Sequence, residues 1–420
     1  MNVRLSWISL SLALAACNSS SGREPADERD AATNTRDASI DAARDGATMD
    51  SSSGGDANLS RDAQSDSGGT DAGDASQPVA ASDSFVYVGG WGNGDYPFKT
   101  FAFSGATGAL TPVNTSTAFG VQPSFIAANQ AGTLLYLTNE DRSAPGITIA
   151  TLDATSGIPT KLDKRSDPDG GGFVHAAISP DGKTLLAADY EKGRLVSFPI
   201  TNDEKLGAAA STIQFGASAN THSSAFSPDG SYAWAPNKGL DVIGQLSVNK
   251  ATSQVTKGAN LSTAGDGPRM IAVASSGQFA YVMFENDSSV EAYSITNGLL
   301  KQIDREDTLP EDFEDENTGA HALLHPNQKF LYVSNRGADQ IVVFTVESDG
   351  KITLLDRTPS GGKTPRGFAI DASGRWLIAA NQNENNLVTF AIGNDGKLTQ
   401  TGTPVTGVQQ PTTVAIVTKR

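Results

Sequence analysis

Four histidines occur in the 420 residues, His175, His222, His321 and His325, and the first three fall at two adjacent places near one rim of a repeating pattern. Histidine is the side chain best suited to taking and returning a proton near neutral pH. Arg269 and Arg366 share one of these places, and Arg336 stands at a third on the same rim. Arginine pairs bidentately with carboxylate or phosphate and stabilises a developing oxyanion. Glu285 offers either a general base or a counter-charge that holds an arginine in place. No Gly-x-Ser-x-Gly elbow occurs, and the one cysteine, Cys17, lies near the start of the chain. A covalent acyl-enzyme is therefore not expected. Direct attack of an activated water on a strained ester needs no such intermediate.

These residues are placed by counting from a recurring turn. Turns occur at 129–132, 179–182, 227–230, 275–277, 325–328 and 371–374, two of them reading Ser-Pro-Asp-Gly. Asp-Gly there points to two-residue hairpins. Eight residues before the last turn residue stand Ser124, Val174, His222, Arg269, Ala320 and Arg366. The next residue along is Phe125, His175, Ser223, Met270, His321 or Gly367. Eight residues after the turn stand Glu140, Tyr190, Lys238, Glu285, Arg336 and Gln382, with Trp91 in the matching place of the first unit. In an antiparallel hairpin the start of one strand and the end of the next share a rim. Two facing rings of titratable groups around a channel read as a ligand site. Asn139, Asp189, Asn237, Asn335 and Asn381 precede members of the second ring and suit a strand-ending turn. His325 replaces the turn serine on the opposite face and reads as structural.

The elements that carry these rings are strands. From residue 84 onward, apolar and polar residues alternate between Gly, Pro, Asn and Asp, with no long helical period. Second strands recur at 85–88, 134–138, 184–188, 232–235, 279–283, 330–334 and 376–380. A repeat of this length points to a solenoid, a propeller or an array. The first unit lacks its own preceding strand, and 410–416 (QPTTVAI) repeats the opening of the second unit, 122–127 (QPSFIA). A last strand that completes the first sheet closes a ring and removes a free edge. The expected fold is all-β: a seven-bladed β-propeller of four-stranded antiparallel blades over 82–420, closed by the C-terminal strand. An open solenoid is the alternative, and the terminal match argues against it.

Two segments precede this domain. Residues 1–17 carry Arg4, an apolar run and Leu14-Ala15-Ala16-Cys17, which resembles a bacterial lipoprotein signal too short for a comfortable membrane span. Acyl chains on Cys17 would hold the protein to a membrane of the cell envelope. Asn18, where a retention aspartate would stand, points to the outer membrane. Residues 18–81 are rich in Asp, Ala and Ser and read as a disordered tether. They hold 13 acidic and 5 basic residues, a net of −8 and half of the formal −16. The acidity thus belongs largely to the tether, and no basic field exists to neutralise nucleic acid. With Cys17 the only cysteine, the domain has no disulfide and no thiol nucleophile. The run PEDFEDEN at 310–317 could meet calcium, but its spacing matches no EF-hand and it reads as a solvated insertion. His321 and His325 lie on a strand, too far apart for one zinc ion. No metal or cofactor is expected.

Several stretches resemble the seven-bladed propeller lactonases, the 6-phosphogluconolactonase-like family that includes fungal carboxymuconate cyclases. They are LYVSNRG at 331–337, TPRGFAID at 364–371 and AANQNENNL at 379–387. To these are added Gly267-Pro268-Arg269 with Glu285 sixteen residues beyond Arg269, and His222-Ser223 ahead of a Ser-Pro-Asp-Gly turn. The resemblance covers residues 84–417. It implies catalytic roles for His222, Arg269, Glu285 and Arg336, and matches His175 to a family histidine. The rim position adds His175, Arg366, Lys238, Glu140, Tyr190 and Gln382 as substrate contacts. The chain departs from the family pattern at Met270 and Leu323, each in place of a histidine, and at Phe284 in place of an asparagine. The implied reaction is hydrolysis of a small anionic lactone, with His222 or Glu285 activating water and Arg269 and Arg336 receiving negative charge. A non-catalytic surface propeller that binds a ligand or protein, and a muconate-type cycloisomerase, are the alternatives.

Overall fold

Runs of Val, Ile, Leu and aromatic residues closed by Asn, Asp or Gly form short strands that pair with their neighbours in sequence. The computed structural model describes residues 82–420 except 93 and 168–170. The signal segment 1–17, Cys17 and the tether 18–81 lie outside the described residues. Within them, 28 strands make seven antiparallel sheets of four. Among the described residues there is no α-helix, only a 3-10 turn at Lys238–Leu240.

In six sheets the strands follow chain order from the axis outward. In the remaining one the innermost strand is the chain's last, Pro411–Thr418, which pairs with Ser84–Gly90, Ser84 opposite Thr418. Pro411–Thr418 also packs against the inner strands Pro365–Ile370 and Pro123–Ala128 of the two adjoining blades, which closes the ring. The expected seven-bladed propeller is the observed fold.

The second strand of each blade is sandwiched between neighbouring blades and is apolar on both faces. Leu134–Asn139, Thr184–Asp189, Phe330–Asn335 and Trp376–Asn381 are buried along their whole length. The core therefore lies between blades. Tyr281 and Met283 of the fifth blade pack with Leu331, Val333 and Phe344 of the sixth.

The turns differ from the two-residue form expected. Four residues separate the closing pairs Ser179/Thr184 and Ser227/Tyr232, and Gly182 and Gly230 donate to the carbonyls of Ser179 and Ser227 at 2.8 Å. Asn129/Leu134 and Asp371/Trp376 close in the same way without a proline; in all four turns the side-chain oxygen of the first residue accepts the N–H of the last at 2.8–2.9 Å and caps the wider turn. In the two Ser-Pro-Asp-Gly turns only Gly182 and Gly230 are left-handed, at φ 70° and 72°. In the sixth blade His325 replaces the serine. Its Nδ1 accepts from Asn327 N–H at 3.1 Å and its Nε2 donates to Gly374 O at 2.7 Å, a structural use.

The strand-ending amides do more than end strands. Asn139, Asp189, Asn237, Asn335 and Asn381 have no solvent exposure. Asn139 Nδ2 donates to Phe119 O at 2.9 Å, Asn381 Nδ2 donates to Ser360 O at 3.0 Å, and Asn237 Oδ1 accepts from Thr221 Oγ1 at 2.6 Å. Each thus ties the end of its strand to a loop that would otherwise hold unpaired backbone groups. Phe284 offers no such atom in the fifth blade. There the fully buried Glu291 accepts from Gly265 N–H at 2.6 Å instead.

Deleting residues 411–420 removes the inner strand of the first blade and bares the edge of Ser84–Gly90. The truncated protein is expected to lose its cooperative urea transition and to self-associate on size exclusion. An unchanged monomer with the full-length midpoint would show that ring closure is dispensable.

Candidate active site

The inner strands begin with a bulge, and the bulge explains where the chemistry gathers. Pairing shifts between Pro123 and Phe125, Phe173 and His175, Pro268 and Met270, Gly319 and Ala322, and Pro365 and Gly367. The residues left out of the ladder include Ser124, Val174, Arg269 and Arg366. In the fourth blade the ladder shortens to Ala225–Phe226, and His222 N–H reaches Pro236 O at 3.1 Å. A bulge bends its strand and re-aims a side chain. Here it brings His175, His222, His321, Arg269 and Arg366 to the wall of one axial cavity, together with Glu140 and Phe125. The space there is ≈ 30 Å³, room for a water or two and not for a sugar ring.

Beside the cavity, Glu285 gathers three cations from three adjacent blades. Its Oε2 lies 2.8 Å from Arg269 Nε, and its Oε1 lies 2.9 Å from Arg336 and 2.7 Å from Lys238 Nζ. Arg269 also donates to Ala320 O, and Arg336 to Gly319 O at 3.1 Å. Burial alone would raise the Glu285 pKa, but Arg269 and Arg336 outweigh it and hold the carboxyl well below its usual range. Burial pushes the Arg269 guanidinium down to about 9, so it stays charged at neutral pH. Of the two roles open to Glu285 in the sequence, this geometry favours the counter-charge, since so acidic a carboxyl is a weak base. Arg269 and Arg336 are spent largely on Glu285.

Arg366 makes no carboxylate contact as close as these. Its guanidinium lies 4.0 Å from the centre of the Trp91 ring. The Trp91 indole N–H donates to Glu140 Oε2 at 2.9 Å. Trp91 thus links two groups that reach the cavity from the second and seventh blades. Tyr190 packs edge-on to His222 at 5.8 Å, and Phe125 lies 4.1 Å from His175. Burial pushes His175 and His321 each down to about 3, and Arg269 adds to the shift. Burial and then Arg269 hold His222 well below its usual value. All three imidazoles are neutral at pH 7.

The structure therefore brings His175, His222, Arg269, Glu285, Arg336, Arg366, Lys238, Glu140 and Tyr190 into one connected group. Gln382 is buried at its strand end and does not line the cavity. Trp91 and Phe125 stood in the rings by position, but nothing in their spacing signalled the Arg366 and His175 contacts. Among the described residues no three His, Cys, Asp or Glu side chains are grouped so that they could hold a metal ion, at 310–317 or elsewhere.

A family model described as "Lactonase, 7-bladed beta-propeller" matches residues 85–416. A 6-phosphogluconolactonase of Pectobacterium carotovorum is 32% identical over 286 residues, which is 65% of this chain and 81% of that protein. One of Formosa agariphila is 30% identical over 305 residues, 68% of this chain and 85% of that protein. The solved structure of a periplasmic gluconolactonase of Pseudomonas aeruginosa, PpgL, superposes with a TM-score of 0.74 at 26% identity, over 81% of this chain and all of that one.

Glu285 and the three histidines fold with lowered pKa values, so the folded state binds fewer protons than the unfolded chain as pH falls. The histidine contribution is complete above about 6.5 and is lost from there downward, and the Glu285 contribution is lost below the usual carboxylate range. The urea midpoint is expected to drop between about pH 7.5 and 5, and His321→Gln should flatten that drop. Glu285→Gln leaves Arg269 buried without its counter-charge and is expected to cost about 3–5 kcal/mol in urea unfolding. A midpoint independent of pH, or a neutral Glu285→Gln, would contradict this electrostatic account.

Proposed function

The chain belongs to the seven-bladed β-propeller lactonase family, and we propose that it hydrolyses a small lactone with a water activated at His222. The observation that carries this reading is the axial cavity, where a neutral buried imidazole and two guanidiniums, Arg269 and Arg366, face a space the size of a water. The surrounding charge is positive: Arg269, Arg366, Arg336 and Lys238 stand against Glu285 and Glu140. Negative charge is received there, whether the substrate carries it or the reaction makes it at the carbonyl.

In this reading the water gives a proton to His222 as its oxygen attacks the lactone carbonyl carbon. The carbonyl electron pair moves onto oxygen, and Arg366 and Arg269 stabilise the oxyanion. Collapse of the intermediate breaks the ring C–O bond, and the departing oxygen takes the proton back from His222. The product is the open hydroxy acid. Tyr190 fixes the plane of the imidazole, and the nearby Glu285 charge favours the transient imidazolium. Glu285 acts on Arg269 and His222 rather than on water. With the lipoprotein signal at 1–17, the proposed place of this chemistry is the cell envelope, the domain being held there by acyl chains on Cys17.

His222→Gln is expected to lower kcat/KM for sugar lactones about 10²–10⁴-fold, and Arg366→Ala about 10²–10³-fold, without loss of fold by circular dichroism. Because His222 stays neutral well below its usual pKa, the acid limb of kcat/KM should lie clearly below pH 6.5. Reaction in ¹⁸O water should place label in the product carboxylate. Binding of lactones without turnover would instead assign a non-catalytic propeller, and an unlabelled isomeric product a cycloisomerase.

A further inference from the structure

Next to the axial cavity, and sharing Glu140 with it, a larger pocket of ≈ 390 Å³ opens between the first three blades. This is the size of a small-molecule subsite, and the axial cavity is too small to hold a substrate ring. Two of its walls are aromatic: Trp91 from the first blade and Tyr190 from the third. Its charged lining is mostly acidic. Glu140, Asp141 and Glu191 line it with one cation, Arg142, which pairs with Glu191 and stands largely exposed. The pocket is thus net negative while the adjoining cavity is net positive.

That asymmetry reads the two ends of a substrate. Ionised carboxylates only accept hydrogen bonds, so they suit hydroxyl donors and repel a phosphate. Aromatic walls suit the C–H faces of a saturated ring. Glu140 has one oxygen committed to the Trp91 indole, which sets its carboxylate between pocket and cavity.

We infer that this pocket binds the uncharged, hydroxyl-bearing end of the substrate, so that the preferred lactone is an aldonolactone without a terminal phosphate. The inference rests on the lactonase reading for its orientation, with the carbonyl at His222 and the hydroxylated carbons between Trp91 and Tyr190. Negative charge then enters the site at the carbonyl, as the oxyanion, rather than at the far end.

The test compares kcat/KM of the wild-type protein for glucono-1,5-lactone, its 6-phosphate and δ-valerolactone, which has the ring without the hydroxyls. Gluconolactone is expected to exceed each of the others at least tenfold. Asp141→Asn with Glu191→Gln should raise the phosphate-to-gluconolactone ratio at least tenfold, mainly through KM. A wild type that prefers the phosphorylated lactone, or a ratio unmoved in the double variant, overturns the inference. Separately, 1,5-anhydroglucitol carries the hydroxylated ring with no carbonyl to hydrolyse. It should quench tryptophan fluorescence in wild type and not in Trp91→Phe. Quenching with no lactone turned over keeps the subsite and removes the lactonase reading, whereas absence of quenching removes the subsite.

Discussion

A guanidinium cannot be buried at the axis of a β-propeller without a counter-charge, and Arg269 is only 4% exposed there. Glu285 answers that constraint from the next strand of the same blade. Once held, it draws Lys238 from the fourth blade and Arg336 from the sixth. One carboxylate therefore crosslinks three blades at the point where their strands end. The remaining electrostatics follow. Glu285 is too acidic to serve readily as a base, Arg269 is aimed and charged, and the imidazoles beside them stay neutral because burial, and after it nearby positive charge, disfavours the imidazolium.

The ring of blades was legible because each second strand is an apolar run with its own turn, and because 410–416 repeats 122–127. The rim register was legible for the same reason: a fixed count from the turn reaches the same height in every blade. The way those residues face the axis was not. A bulge changes no residue type, so nothing in the letters distinguishes Arg269 outside the ladder from Arg269 within it. The departure at Phe284 had a compensation that the repeat could not reveal, because Glu291 comes from the adjacent strand of the blade. The wider form of the turns was not legible from Asp-Gly, because it depends on the first residue's side chain capping the closing N–H, as Ser179 does for Thr184 and Asp371 for Trp376.

The site joins two environments within a few residues of one another. On one side, positive charge concentrates around a space that admits a water. On the other, carboxylates and aromatic rings border a pocket that admits a ring. Trp91 lines the pocket and contacts two groups that line the cavity, with Arg366 on its face and Glu140 on its indole N–H. A blade that contributes no charge of its own thus sets the separation of opposite charges from two others.

The strand Pro411–Thr418 lies beside Ser84–Gly90, although the two come from opposite ends of the domain. Pairings this distant in sequence close late, since the loop entropy must be met before the contact forms. Until the last residues have left the ribosome, the first blade lacks its inner strand and Thr412 cannot bond the Ser124 carbonyl at the cavity wall. The partly made chain therefore has no working pocket. A propeller whose keystone is its last strand becomes competent only once the whole domain has been made, so the end of synthesis also sets the moment of assembly.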